Sequence, residues 1–139
     1  MTTKTIIKTD QAPAAVGPYS QGVCVNALQF LSGQLPIDPS TGKIVEGGIK
    51  AQTKQSLENL GAILKQAGLD YSNILKTTVL LADIKDFADM NEVYSGYFSE
   101  NAPARVCFQV AALPMGALVE IDAVSSRGYI LTDKKEDES

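Results

Sequence analysis

Residues 49–81, IKAQTKQSLENLGAILKQAGLDYSNILKTTVLL, decide the fold, because the hydrophobic period changes within them from that of a helix to that of a strand. Leu57, Leu60 and Leu64, with Ile63 beside them, recur at helical spacing, and Gly68 sits where a C-terminal cap belongs. Residues 49–67 therefore read as an α-helix. Residues 74–81 are rich in Thr, Val and Leu and too short for another long helix, so they read as a buried strand. A second helix follows, in which Phe87, Met90, Tyr94 and Tyr97/Phe98 form one stripe and Asp83 or Asp86 can cap the first amides. Asn91 falls off that stripe and reads as a solvated residue or a surface hydrogen bonder.

Outward from this helix–strand–helix centre, both ends of the chain read as strands. Residues 5–8 make a first strand, and residues 21–26 and 28–32 meet at Asn26-Ala27 as in a hairpin. Gly33-Gln34-Leu35-Pro36 and Asp38-Pro39-Ser40-Thr41-Gly42 read as turns. After Pro103, residues 105–110 and 118–126 form two strands around Leu113-Pro114-Met115-Gly116. The order β-β-β-α-β-α-β-β predicts an α+β sandwich, a sheet covered on one face by two helices. The other face, with apolar groups beside Cys107 and Glu120, then invites subunit association.

At 139 residues, 45% hydrophobic and 20% charged, the chain fits one domain, and neither disulfides nor a structural metal are needed to hold a core of that size. Residues 1–128 read as that domain. Residues 129–139 read as a charged, disordered tail, since residues 133–139 carry four acids and two lysines and nothing to bury. The formal net charge is −4, half of it in this tail, and no Lys/Arg cluster offers a footprint for a phosphate backbone. Two cysteines without CxxC spacing argue against a disulfide framework or metal knuckle. With no apolar signal core and no bilayer-length run, the expectation is a soluble cytoplasmic protein without membrane contact.

The chain has no histidine, which rules out Ser-His-Asp and Cys-His nucleophile systems and His-based zinc sites. Any acid–base chemistry falls to carboxylate, tyrosine, cysteine, lysine or bound water. Alternation places Arg105, Cys107 and Gln109 on one face of their strand and Val106, Phe108 and Val110, read as core, on the other. On the last strand Val119, Ile121 and Ala123 read as buried, with Glu120 and Asp122 opposite. If the two strands pair, Arg105, Cys107 and Glu120 share a face, where a guanidinium fork and a carboxylate that accepts a proton from water would suit a small organic acid. The plainer reading is an Arg105–Glu120 ion pair, with Cys107 a small buried hydrophobe. Tyr19, after the Gly17-Pro18 turn, and Ser32-Gly33 at a strand end are either pocket elements or ordinary core and turn residues.

Taken together, Pro103-Ala104-Arg105-Val106-Cys107-Phe108 followed by Val119-Glu120-Ile121, with Gly17-Pro18-Tyr19-Ser20-Gln21, Ser32-Gly33-Gln34-Leu35-Pro36, and Asp86-Phe87 with Asn91 and Tyr94, resemble the RidA-type members of the YjgF family. The likeness spans residues 3–128, with a loop at 98–103 shorter than in many members. The resemblance implies a chorismate-mutase-like subunit in a homotrimer with ligand sites between subunits. It also implies hydrolysis of 2-imino acids such as 2-iminobutanoate and 2-iminopropanoate to 2-oxo acids and ammonia. No cofactor or metal is implied, and the substrates would come from pyridoxal-phosphate-dependent dehydratases. Carried over, Arg105 would clamp the substrate carboxylate, Glu120 would position or deprotonate water, and backbone around Cys107 would hold water or the imine nitrogen. Tyr19, Ser32, Gly33 and Asn91 would line the pocket. A noncatalytic trimer sensing 2-oxo acids, or an RNA-acting protein that the acidic balance disfavours, are the competing readings.

Overall fold

The computed structural model of the protein describes residues 1–129. Three strands, β1 (Lys4–Ile7), β2 (Gly22–Val25) and β3 (Leu28–Gln34), form an antiparallel meander, and Asn26 turns β2 into β3 with φ 53°, a left-handed conformation that asparagine tolerates. Next come β4 (Ile37–Asp38) and β5 (Lys43–Ile44), α1 (Gly48–Gln66), β6 (Ile74–Leu81), α2 (Phe87–Tyr97), β7 (Ala104–Gln109) and β8 (Val119–Ser126). The main sheet runs β1-β2-β3-β8-β6-β7. Its neighbours are antiparallel except β6 and β7, which are parallel and joined through α2.

This is the expected mixed sheet with both helices on one face. Leu57, Leu60, Ile63 and Leu64 of α1 and Met90 and Tyr94 of α2 pack with Ile7, Leu31, Val79, Leu81, Val119, Ile121 and Ala123 of the sheet. The helix α1 ends as Gly68 foretold: Leu69 N–H donates to the Leu64 carbonyl and Gly68 N–H to that of Lys65, with Gly68 at φ 77°. These two bonds make a Schellman cap. At the entry to α2, Asp83 rather than Asp86 supplies the cap, its carboxylate accepting the Lys85 amide at 2.9 Å in the short 3₁₀ turn that leads into the helix.

The turn expected at Asp38–Gly42 is present, as the tip of the small β4–β5 hairpin, whose two strands are too short to show a period. Three expectations are corrected. Gly33 and Gln34 belong to β3, where the register against β8 shifts between Leu31 and Gln34 as a bulge. Strand β7 does not pair with β8, because β6 lies between them. Finally, Val106 and Phe108 are not core: they are 46% and 47% exposed on the sheet face away from the helices. Residues 130–139, most of the segment read as a tail, lie outside the described residues, and Tyr129 hydrogen-bonds the Ser72 carbonyl through its hydroxyl. No helix among the described residues is long and apolar enough to cross a membrane.

Candidate active site

Register decides which site residues can meet. Thr77 of β6 lies opposite both Arg105 of β7 and Ala123 of β8, so Arg105 points to the helix face. Leu80 lies opposite both Phe108 and Glu120, which puts Glu120 on the open face. Arg105 and Cys107 therefore do not share a face with Glu120, and the Arg105–Glu120 ion pair does not form. Exposed Lys50 and Glu92, 2.7 Å apart, form the single ion pair among the described residues.

The helix-face half of the site is built on Arg105, at the edge of the sheet. Its Nη1 donates to Asn91 Oδ1 at 2.7 Å, and its Cζ lies 4.8 Å from the Tyr94 ring centroid and 5.4 Å from that of Phe87. Phe87, Asn91 and Tyr94 stand at i, i+4 and i+7 of one helix, so Asn91 is on the stripe and not off it. The apolar stripe places Tyr94 in the core correctly, while Phe87 is 37% exposed, and the contact of both rings with Arg105 is visible in the sequence only as this i, i+4, i+7 spacing. Cys107 is half-buried two residues along β7, and burial raises its thiol above the ordinary range, against the opposing pull of Arg105. It is not an activated thiolate.

The open-face half is built on the β3 bulge. Ser32 Oγ donates to the Ser20 carbonyl at 2.5 Å and Ser32 N–H to that of Gln21 at 2.9 Å, tying the bulge to the segment after Tyr19. Gly33 lies against Glu120: a Cβ at Gly33 would stand 3.1 Å from the Glu120 carboxyl carbon. Burial, and then the like charge of Asp122 two residues along the same face, push the Glu120 carboxyl above its ordinary value. Tyr19 is 50% exposed beside this corner and, with Ser20 and Ile6, lines a cleft of about 570 Å³ that neither Arg105 nor Glu120 reaches. The chain thus carries, on opposite sides of one sheet, an arginine with no ion pair among the described residues and a carboxyl of raised proton affinity. No cluster of metal-ligating side chains occurs among the described residues.

A family model described as endoribonuclease L-PSP matches residues 9–126. The chain belongs to this family, the RidA/YjgF proteins. It is 53% identical over 127 residues to human "2-iminobutanoate/2-iminopropanoate deaminase", covering 91% of this chain and 93% of that protein. It is 50% identical over 123 residues to "Reactive Intermediate Deaminase A, chloroplastic" of Arabidopsis thaliana, covering 88% of this chain and 66% of that one. Among solved structures, E. coli TdcF with bound serine superposes with TM-score 0.86 at 44% identity, over 89% of this chain and 99% of its own. In this RidA/YjgF protein Arg105, Cys107 and Glu120 occupy three positions of a common sheet, two on one face and one on the other.

Proposed function

We propose that this protein hydrolyses reactive 2-imino and enamine acids, 2-iminobutanoate and 2-iminopropanoate among them, to 2-oxo acids and ammonia. The names of its relatives support the activity. The observation that carries the mechanism is an arginine without a carboxylate partner among the described residues on one face and a carboxyl with raised proton affinity on the other. A substrate that needs both must lie between two copies of the chain. Isoleucine, phenylalanine and valine side chains exposed on the open face, at Ile6, Phe30, Val106 and Phe108, suit burial in a homotrimer.

In the cleft so formed, Arg105 of one subunit takes the substrate carboxylate as a bidentate pair and Asn91 fixes the guanidinium. Glu120 of the neighbour, beside Gly33, holds the attacking water. The water oxygen bonds to the imine carbon, the C=N electron pair moves to nitrogen, and the water proton passes through Glu120 to that nitrogen. The hydroxyl proton of the resulting carbinolamine then passes through Glu120 to the nitrogen, the C–N bond breaks with its electron pair leaving on ammonia, and the oxygen lone pair closes the carbonyl of the 2-oxo acid. Histidine is not required, because an iminium carbon is already electrophilic and positioning supplies most of what remains. Ser32, Gly33 and Tyr19 would form the wall on the Glu120 side, and backbone at Cys107 the wall on the Arg105 side.

The test is ammonia release when the protein is added to a pyridoxal-phosphate-dependent threonine dehydratase reaction, the class of reaction that supplies such imines. Wild type should accelerate release and Arg105→Ala should abolish the gain. A mutant as fast as wild type would end the clamp role. Binding of 2-oxobutanoate without any rate would instead favour a sensor trimer, and salt-sensitive cleavage of RNA by clean protein would favour the ribonuclease reading.

A further inference from the structure

Among the described residues, Arg105 is held entirely by neutral groups. A surface arginine is usually fixed by a carboxylate, but that partner would neutralise the charge and compete with an anionic ligand for the same N–H fork. Here the guanidinium has one amide oxygen, Asn91 Oδ1 at 2.7 Å, and two aromatic faces, with no ion pair among the described residues. Ring faces attract the cation through their quadrupole without accepting its in-plane hydrogen bonds, so the remaining N–H donors stay available.

The two rings are not equivalent. Phe87 is 37% exposed, whereas Tyr94 is 5% exposed and stands nearer the guanidinium. The hydroxyl of Tyr94 shares a 2.7 Å hydrogen bond with Thr77 Oγ1, and Thr77, fully buried, is the residue directly across from Arg105 in the β6–β7 register. Phe98 backs the Tyr94 ring with centroids 4.6 Å apart. Backbone pairing, hydroxyl bond and ring face thus close a circuit from Arg105 through Thr77 and Tyr94 back to Arg105. We infer that Tyr94 is a positioning residue for the substrate-binding arginine, with Thr77 anchoring the ring that orients the guanidinium. What Arg105 then binds rests on the deaminase reading; the cradle itself does not.

The chain has only two arginines, Arg105 and Arg127, so a ¹⁵N spectrum shows two Nε–Hε signals, and Arg127→Lys assigns them. In wild type the Arg105 signal should be shifted by ring currents. Tyr94→Phe, which keeps the ring, should retain the shift, and Tyr94→Leu should return the signal towards that of a free arginine. A signal unmoved by Tyr94→Leu in folded protein would overturn the inference. In the coupled assay Tyr94→Leu should raise KM about tenfold with kcat within about twofold, because a carboxylate clamp binds ground and transition states alike. Tyr94→Phe should recover KM to within about threefold of wild type. A fall in kcat that tracks the folded fraction at unchanged KM would assign Tyr94 a merely structural role and likewise sink the proposal. Wild type that shows the ring-shifted signal but neither deaminates nor binds 2-oxobutanoate would remove the deaminase reading alone.

Discussion

Glu120 is the residue on which the pH behaviour turns. Burial first, and Asp122 second, raise its proton affinity in the fold. The sign follows from linkage: the native state binds the proton more tightly than the unfolded chain, so Glu120's contribution to stability is full below the ordinary carboxylate value of 4.5 and is lost as pH rises through its raised folded value. The ionised form of Glu120 is therefore held in the fold at a cost in stability. Glu120→Gln should raise Tm at pH 7 by thermal denaturation while lowering deaminase activity about 100-fold or more. Unchanged activity would remove Glu120 from the mechanism. The acid limb of kcat/KM should lie above 4.5, and, with no histidine in the chain, Asp122→Asn should move it down by removing the like charge. A limb that stays put in Asp122→Asn would point to another titrating group.

At the scale of elements, the helix α1 shows what sequence could and could not reveal. Its apolar spacing and Gly68 cap were legible, because a 3.6-residue period and a left-handed C-cap glycine leave few alternatives. Gly61 inside it carried no visible reason. The structure supplies one: the Tyr71 hydroxyl donates to the Leu57 carbonyl at 2.7 Å by passing over Gly61, where a Cβ would collide with the hydroxyl. Gly61→Ala should lower stability by about 1–3 kcal/mol in urea denaturation, despite alanine's better helix propensity, and Tyr71→Phe in the same chain should restore part of it. A stabilised Gly61→Ala would show that propensity wins. The strand β7 was legible as a strand but not in its orientation. Alternation groups Arg105 with Cys107 and Val106 with Phe108, yet it does not say which group faces the helices. The usual inference, apolar inward, fails because the open face of this sheet is itself apolar. Asn91 was misplaced for a related reason: a polar residue on a helix face that binds a cation resembles a solvated one until the cation's strand is located.

For the whole molecule, the decisive geometry is that Arg105 and Glu120 lie on opposite faces of one sheet, which makes the proposed active cleft a property of the assembly. If the proposed trimer buries this face, Phe108→Asp, a charge placed on the exposed apolar surface, should leave the helix-side core and the far-UV spectrum intact while giving monomers in light scattering and abolishing activity. A sharper prediction uses two inactive variants. Arg105→Ala keeps Glu120, and Glu120→Gln keeps Arg105. If each cleft takes its arginine from one subunit and its carboxylate from the next, every trimer containing both variants has one cleft in which both groups are native. Unfolding and refolding an equal mixture makes three quarters of the trimers mixed, so about a quarter of wild-type activity should return. If instead one subunit supplied both groups, no arrangement of the two variants would restore a cleft, and the mixture would stay as inactive as its parts. Recovered activity near that quarter would place the site between subunits without a ligand-bound structure, because the count depends only on which chain contributes which residue.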